Sequence, residues 1–420
     1  MNKRGNTISS ENFQSDAPTP VEIASSWHSE SGFFWIDSSN EDDPGLSLIG
    51  HHPDLILEGK LGDWHHLEEE LARRRRNTLV HVPDLGVPQG AAVGYFRFDG
   101  SFCFGFYDKP LVHGAEGWLG NSLPDCSSMQ LPAIGNMASR LDFQPEMGRE
   151  DYMRMVSRAQ EYIAAGDIYQ VCLAHRFTAT FSDDPWHLYL ALREASPSPH
   201  AAYLQIGRET ILSSSPECFL KMSGRRISTR PIKGTRPRRR DPGEDERQSF
   251  ELKTSPKEIA ELLMITDLER NDLGQICSYG SVTATQLLHL EKYAHVFHLV
   301  STIEGDLRPD ISQVEALSAC FPGGSISGAP KIRALEIIHE LEPVSRGLFT
   351  GAIGYFGYNG ESQFNIAIRT VITRPGHAEF HVGAGITADS DPLKEWEETL
   401  HKAAGILQAA RGDKESRLSQ

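Results

Sequence analysis

The sequence predicts an α+β fold, and three observations lead there. Short strand-like runs fill the first hundred residues around a single helical pattern. An amphipathic stripe opens the second part of the chain near Glu150, and further helical and strand-like runs continue to about residue 410. The length of 420 residues admits either one large body or two packed halves.

In chain order, residues 1–20 are polar and hold no apolar run that would serve as a signal-peptide core. They are expected to form a disordered tail on a chain that stays in the cytoplasm. Runs at Gly32–Ile36, Leu55–Leu57 and Ala91–Phe98, with a helix near Trp64–Arg74, make 21–107 an N-terminal antiparallel α+β region. Residues 108–148 are rich in Gly, Pro, Ser and Asn without a sustained period, and read as a connecting segment. Tyr152, Met155, Val156, Ala159 and Ile163 then recur at three and four residues, the stripe of an amphipathic helix.

A strand-rich stretch follows from Ile168 to about Arg230. The almost wholly polar segment Arg238–Pro256 reads as a mobile surface loop. Helical patterns return at Lys257–Asp272, Lys331–Leu341 and Leu393–Ala410, and strand-like runs at Leu348–Tyr358, Phe364–Thr373 and Glu379–Ile386. Residues 149–410 thus form the main region, with 411–420 a C-terminal tail.

Hydrophobic residues at 39% and charged residues at 23% place the chain among globular proteins rather than disordered or fibrous ones. No run approaches the roughly 20 apolar residues of a membrane helix. The net charge of −16 repels polyanions, which argues against nucleic-acid binding despite the basic run Arg236–Arg240. Six cysteines without C-x-x-C spacing suggest reduced, buried thiols rather than a zinc site or disulfides.

Two pairs of glutamates stand at helical spacing. Glu258 and Glu261 are three residues apart, as are Glu395 and Glu398, with Lys402 one turn further along; Asp391-Pro392 marks the start of that second helix. Such pairs are common on solvated faces. Turned inward together, they would form a hard-oxygen site suited to Mg²⁺. In Arg230–Arg236, Lys233 places an amine beside Gly234, whose missing side chain permits close approach to the backbone. The run Phe321–Lys331 is a glycine-rich loop ahead of a helix, without the Gly-Lys-Ser/Thr ending of a phosphate loop.

These segments, in this order, resemble the chorismate-utilising enzymes. The resemblance runs from about Tyr152 to Lys402 through GDIYQV (166–171), SSPE (214–217), PIKGTRPR (231–238), KEIAELLMITDLERNDLG (257–274), HLVS (298–301), FPGGSISGAPK (321–331), RGLFTGAIGY (346–355), IAIRT (366–370), GAGITADSDP (383–392) and EWEETLHKA (395–403). It implies two large antiparallel sheets with helices packed between and around them. It also implies Mg²⁺ held by Glu261 and Glu398, supported by Glu258 and Glu395, on the ring carboxylate of chorismate.

The same resemblance assigns the backbone of Gly383, Ala384 and Gly385 and the ammonium of Lys402 to that carboxylate, and Arg369 to the pyruvyl carboxylate. Glu217 becomes the general acid, with Thr235 and His298 near the ring and Gly234 and Ser327 lining the site. Gln170 stands where isochorismate and salicylate synthases carry a water-activating lysine, which favours a nitrogen nucleophile. Lys233 stands where anthranilate synthases carry alanine and matches the aminodeoxychorismate synthases. There it would attack carbon 2 of chorismate, before ammonia displaces it at carbon 4.

Burial, Mg²⁺ and Arg236 are expected to depress the pKa of Lys233. Phe349 replaces a tyrosine common in the family, and Leu262 a histidine. No Gly-x-Cys-x-Gly glutaminase signature is present, so the resemblance implies a partner glutaminase subunit. The alternatives are an anthranilate synthase component I and a non-catalytic chorismate-binding subunit.

Overall fold

Nine helices are found among the described residues of the structure, a computed structural model that describes residues 17–39, 45–77, 86–119, 140–293 and 296–411. They are α1 (Pro20–Trp27), α2 (Trp64–Asn77), α3 (Arg149–Ala164), α4 (Pro185–Ala195), α5 (Pro242–Thr254), α6 (Pro256–Ile276), α7 (Gln313–Cys320), α8 (Lys331–Leu341) and α9 (Pro392–Arg411). Five of them begin with proline in the first turn, where its missing N–H costs nothing.

Among the described residues the strands form two antiparallel sheets of eleven and ten strands. The first runs from Gly328–Ala329 through Gln170–Ala179, His377–Ile386, Thr370–Arg374, Thr210–Ser215 and His200–Leu204 to Phe34–Asp37, Ser47–Gly50, Leu111–Gly114 and Gly117–Leu119. The second runs from Ile232–Pro237 through Val296–Asp306, Arg226–Arg230, Cys218–Ser223, Glu361–Ile366 and Ala352–Gly357 to Ala91–Phe96, Phe102–Tyr107 and Leu55–Gly59. Both sheets therefore mix strands from the first hundred residues with strands from the main region: Trp35 pairs with Tyr203, and Tyr95 with Ile353.

Period-two alternation sends successive side chains to opposite faces, and here both faces are covered. Phe34, Leu204 and Ile211 of one sheet pack with Val93, Tyr95 and Ile353 of the other in a shared core. On the outer face of the first sheet, Trp35 and Tyr203 meet α1, α4 and α9. On that of the second, Phe96 and Phe104 meet α2, α6 and α7. The expected α+β class with two large antiparallel sheets holds.

Several local expectations change. The segment expected as a loop at 238–256 contains α5, capped by Asp241, whose carboxylate accepts from Glu244 N–H; the helix is polar because only Leu252 is buried. The strand-rich stretch after Ile168 is interrupted by α4, which buries Trp186, Leu188, Tyr189 and Leu192 behind an Asp184-Pro185 start. The connecting segment contributes three short strands, at Leu111–Gly114, Gly117–Leu119 and Gln144–Pro145, while 120–139 lie outside the described residues. The run Phe364–Thr373 divides into two strands of different sheets at Arg369, whose φ of +49° turns the chain.

The expected tails lie outside the described residues at 1–16 and 412–420, and α1 starts at Pro20. Among the described residues five cysteines are free, four buried and Cys172 half-buried. No helix among them is long and apolar enough to cross a membrane.

Candidate active site

Helix α6 starts at Ser255, whose hydroxyl accepts from Glu258 N–H, and α9 at Asp391, whose carboxylate accepts from Leu393 and Lys394 N–H. Each cap sets its helix's register, so each glutamate pair lies one turn along its own helix. Between the helices stands Lys257, its ammonium 3.9 Å from Glu261 and 3.8 Å from Glu395. Glu395 is buried and accepts a 2.7 Å bond from Ser390 Oγ. Lys402 donates to Glu398 at 2.8 Å and to the carbonyl oxygen of Gly383 at 2.9 Å, leaving one of its three N–H groups for another acceptor. Arg236, expected to act on Lys233, lies 3.6 Å from Glu258 instead.

The carboxylates fit a hard cation chemically. Glu261 Oε1 and Glu395 Oε2 are buried without a hydrogen-bond partner, a costly state that an ion would relieve. Burial raises both carboxyls above the usual range; Lys233 and Lys257 pull Glu261 back, and Ser390 and Lys257 pull Glu395 back. Burial works the same way on Glu398, but Lys402, Lys257 and Lys233 outweigh it and hold that group low. No three of the four glutamates bring an oxygen each within 4.8 Å of the others.

Lys233 lies on the strand Ile232–Pro237, in register with Leu299, while Thr235 faces His298. The register slips between Lys233 and Thr235, at Gly234 with φ +74°. A side chain at Gly234 would meet Leu252 Cδ1 at 2.6 Å and the Glu258 carboxyl at 3.0 Å, so glycine here lets α5 and α6 approach the strand. Lys233 Nζ donates to Ser325 O at 3.1 Å. Without Mg²⁺, the fall expected from burial does not occur: burial pulls the ammonium down, but Cys172, Glu217, Glu261 and Glu398 outweigh it and raise the amine above its ordinary value.

Glu217 is buried, which raises its carboxyl despite Ser325 and Lys233. Thr235 Oγ1 and His298 Nδ1 are 3.0 Å apart, and burial, joined by Arg369, lowers His298 to about 4, so its ring is neutral. Arg369 makes no ion pair among the described residues, and burial lowers its pKa. With Ser196, His401 and Lys402 it lines a cavity of about 230 Å³. Gly383–Ile386 pair with Val171–Ala174 on one edge; on the other they run past the neighbouring strand, whose pairing ends at Phe380.

Ser327, expected to line the site, is fully buried and bonded to Gly323 O at 2.8 Å, so it holds the turn. Phe349 stacks on His381, and Leu262 packs among Leu252, Leu290, Phe297 and Leu299, which explains an apolar residue at each position.

Three neighbours of the site carry no motif that marks them in the sequence. Lys257 stands beside Glu258 with no signal of its own. Ser325, whose buried hydroxyl faces the Glu217 carboxyl, and Cys172, which acts on Lys233, come close only through folding. Gln170 is fully buried with both amide atoms unpartnered, on the strand between Gly328–Ala329 and Gly383–Ile386. Glu217, Glu261 and Glu398 act on Lys233, Lys402 acts on Glu217 and Glu398, and Arg369 acts on His298, so both sheets, α6 and α9 contribute charge to this region.

Residues 118–408 match the family model described as chorismate binding enzyme, and the chain belongs to that family. It is 44% identical over 299 residues to anthranilate synthase component 1 of Synechocystis sp., covering 69% of this chain and 59% of that protein. It is 43% identical over 284 residues to aminodeoxychorismate synthase component 1 of Bacillus subtilis, covering 67% and 60%. The chain thus spans roughly three-fifths of the length of these relatives. Its fold matches the crystal structure of anthranilate synthase component I from Streptococcus pneumoniae with a TM-score of 0.75 and 28% identity, over 86% of this chain and 92% of that one.

Proposed function

We propose that this chain is component I of a cytoplasmic aminodeoxychorismate synthase, converting chorismate and ammonia to 4-amino-4-deoxychorismate and water, a step toward 4-aminobenzoate and folate. The observation that carries the reading is the position of an amine, Lys233, bonded to Ser325 O and close to buried Glu217. Neutral Lys233 would bond to carbon 2 as the ring electrons shift and the carbon-4 hydroxyl leaves, with Glu217 donating the proton that makes it water. Its raised carboxyl pKa suits that role. Ammonia then bonds to carbon 4 and the lysine departs from carbon 2.

Arg369 would hold the pyruvyl carboxylate in its cavity, as a planar guanidinium does. The ring carboxylate would meet the open edge of Gly383, Ala384 and Gly385 and the remaining N–H of Lys402. Thr235 and His298 would flank the ring, and Gly234 shapes the approach. Glu261 and Glu398, with Glu258 and Glu395, would hold Mg²⁺, which when bound supplies positive charge to the substrate carboxylate and offsets the carboxylate field on Lys233. A partner glutaminase subunit would supply the ammonia.

A second reading, anthranilate synthase component I, is favoured by that same field, because a protonated lysine is no nucleophile. At an unperturbed pKa only about 1 in 2,500 lysines is neutral at pH 7, and the apoprotein lowers that fraction. Product identity separates the two. With chorismate, an ammonium salt and Mg²⁺, the expected product is non-aromatic, keeps its enolpyruvyl group and becomes 4-aminobenzoate once a lyase is added. Glutamine should replace ammonium only when a glutaminase subunit is present. Anthranilate as the main product overturns the proposal.

A further inference from the structure

Glu30, in the turn after α1, and the adjacent His51 and His52, after the strand Ser47–Gly50, each offer one metal-binding atom within 4.8 Å of the others. His51 Nδ1 and His52 Nδ1 are 2.7 Å apart, and His52 Nε2 lies 3.5 Å from Glu30 Oε2. Two neutral imidazoles share a single proton in such a contact.

The backbone holds the two segments together independently of these side chains. His52 N–H donates to Ser31 O at 2.8 Å, and Glu30 closes its turn through bonds from its N–H to Trp27 O and from Phe33 N–H to its own carbonyl. Gly32, at φ +65°, lies so close to Pro53 that a Cβ would sit 2.4 Å from Pro53 Cδ. His52 keeps a φ of +50°, uncommon for a side-chain-bearing residue, and the His51 ring stands edge-on to Trp27 at 4.6 Å. The backbone therefore brings the three side chains together before any ion arrives, and one imidazole has only to turn for a nitrogen of each ring and the carboxylate to face one ion.

We propose that Glu30, His51 and His52 form a transition-metal site of the Zn²⁺ class that clips the turn after α1 to the end of the strand Ser47–Gly50. Two imidazoles and a carboxylate, with a fourth position open to water, form a donor set that suits Zn²⁺. Nitrogen donors disfavour Mg²⁺ and Ca²⁺, which take oxygen, so this site and the glutamates of α6 and α9 would select different ions.

The test is a Zn²⁺ titration of tag-free, full-length protein in excess Mg²⁺, comparing wild type with Glu30→Gln, His51→Ala and His52→Ala, each checked for folding by circular dichroism. Wild type should bind one more equivalent than each variant. Loss of an outer partner of a metal ligand already costs about 10–100-fold in affinity, so each variant should bind that equivalent at least about 100-fold more weakly. Equal stoichiometry and affinity in wild type and any one of the folded variants overturns the three-ligand site.

Discussion

Lys233 Nζ is bonded to the carbonyl oxygen of Ser325, which ties the amine of one sheet's last strand to the glycine-rich turn before α8. If Lys233 is the nucleophile, it has to lose a proton first, though it can keep one N–H on this acceptor while its lone pair attacks carbon. Chorismate without ammonia should then leave an adduct on the Lys233 peptide whose mass equals chorismate less water. Lys233→Ala should show none, and its residual amination should drift toward carbon 2. Mass spectrometry of both proteins decides the matter; an adduct that persists in the variant removes Lys233 from the mechanism.

The carboxylates of α6 and α9 yield a second expectation. Chelator should abolish turnover and Mg²⁺ restore it, while Glu398→Gln should be severely impaired at limiting Mg²⁺. Lys257 bears on the same measurement, because its ammonium lies within 4 Å of two of these groups. Lys257→Met should lower the Mg²⁺ concentration needed for half-maximal stabilisation against heat, by removing a competing cation. An unchanged requirement would show that Lys257 does not oppose the ion.

Gly234→Ala tests the slip beside the amine. The left-handed backbone costs an L-residue roughly 1–2 kcal/mol, and the new methyl would also crowd Leu252 and Glu258. Both lower stability, and displacement of Glu258 should raise the Mg²⁺ requirement as well. Stability equal to wild type in denaturant melts would mean that the strand relaxes without resistance.

Buried Glu269 gives a pH dependence with a definite sign. Burial, reinforced by Glu217, lifts its carboxyl to about 8, against a bond from Thr229 Oγ1. The unfolded chain ionises this group near 4.5 and the folded protein only near 8, so stability is lost as pH rises through that window. Glu269→Gln, which keeps the shape and cannot ionise, should gain thermal stability relative to wild type from pH 5 to pH 8. A difference that is flat across the window would show that Glu269 is already charged in the folded state.

The sequence by itself determined what depends on neighbours within a turn or two. Asp391-Pro392 starts its helix, and a spacing of three on a helix aligns Glu258 with Glu261 and Glu395 with Glu398. The ordered segments from GDIYQV to EWEETLHKA were enough to indicate the family. Only the tertiary structure decided which groups meet. Lys257 between two helices, Ser325 at the amine, Gln170 buried without a partner, and Trp35 beside Tyr203 all join residues far apart in the chain, and no local period encodes such pairings. The sign of the shift at Lys233 belongs to the same class. Burial alone pulls an amine down, and four acidic groups drawn from separate segments reverse the result, because charge interactions depend on distance in space and not on position in the chain.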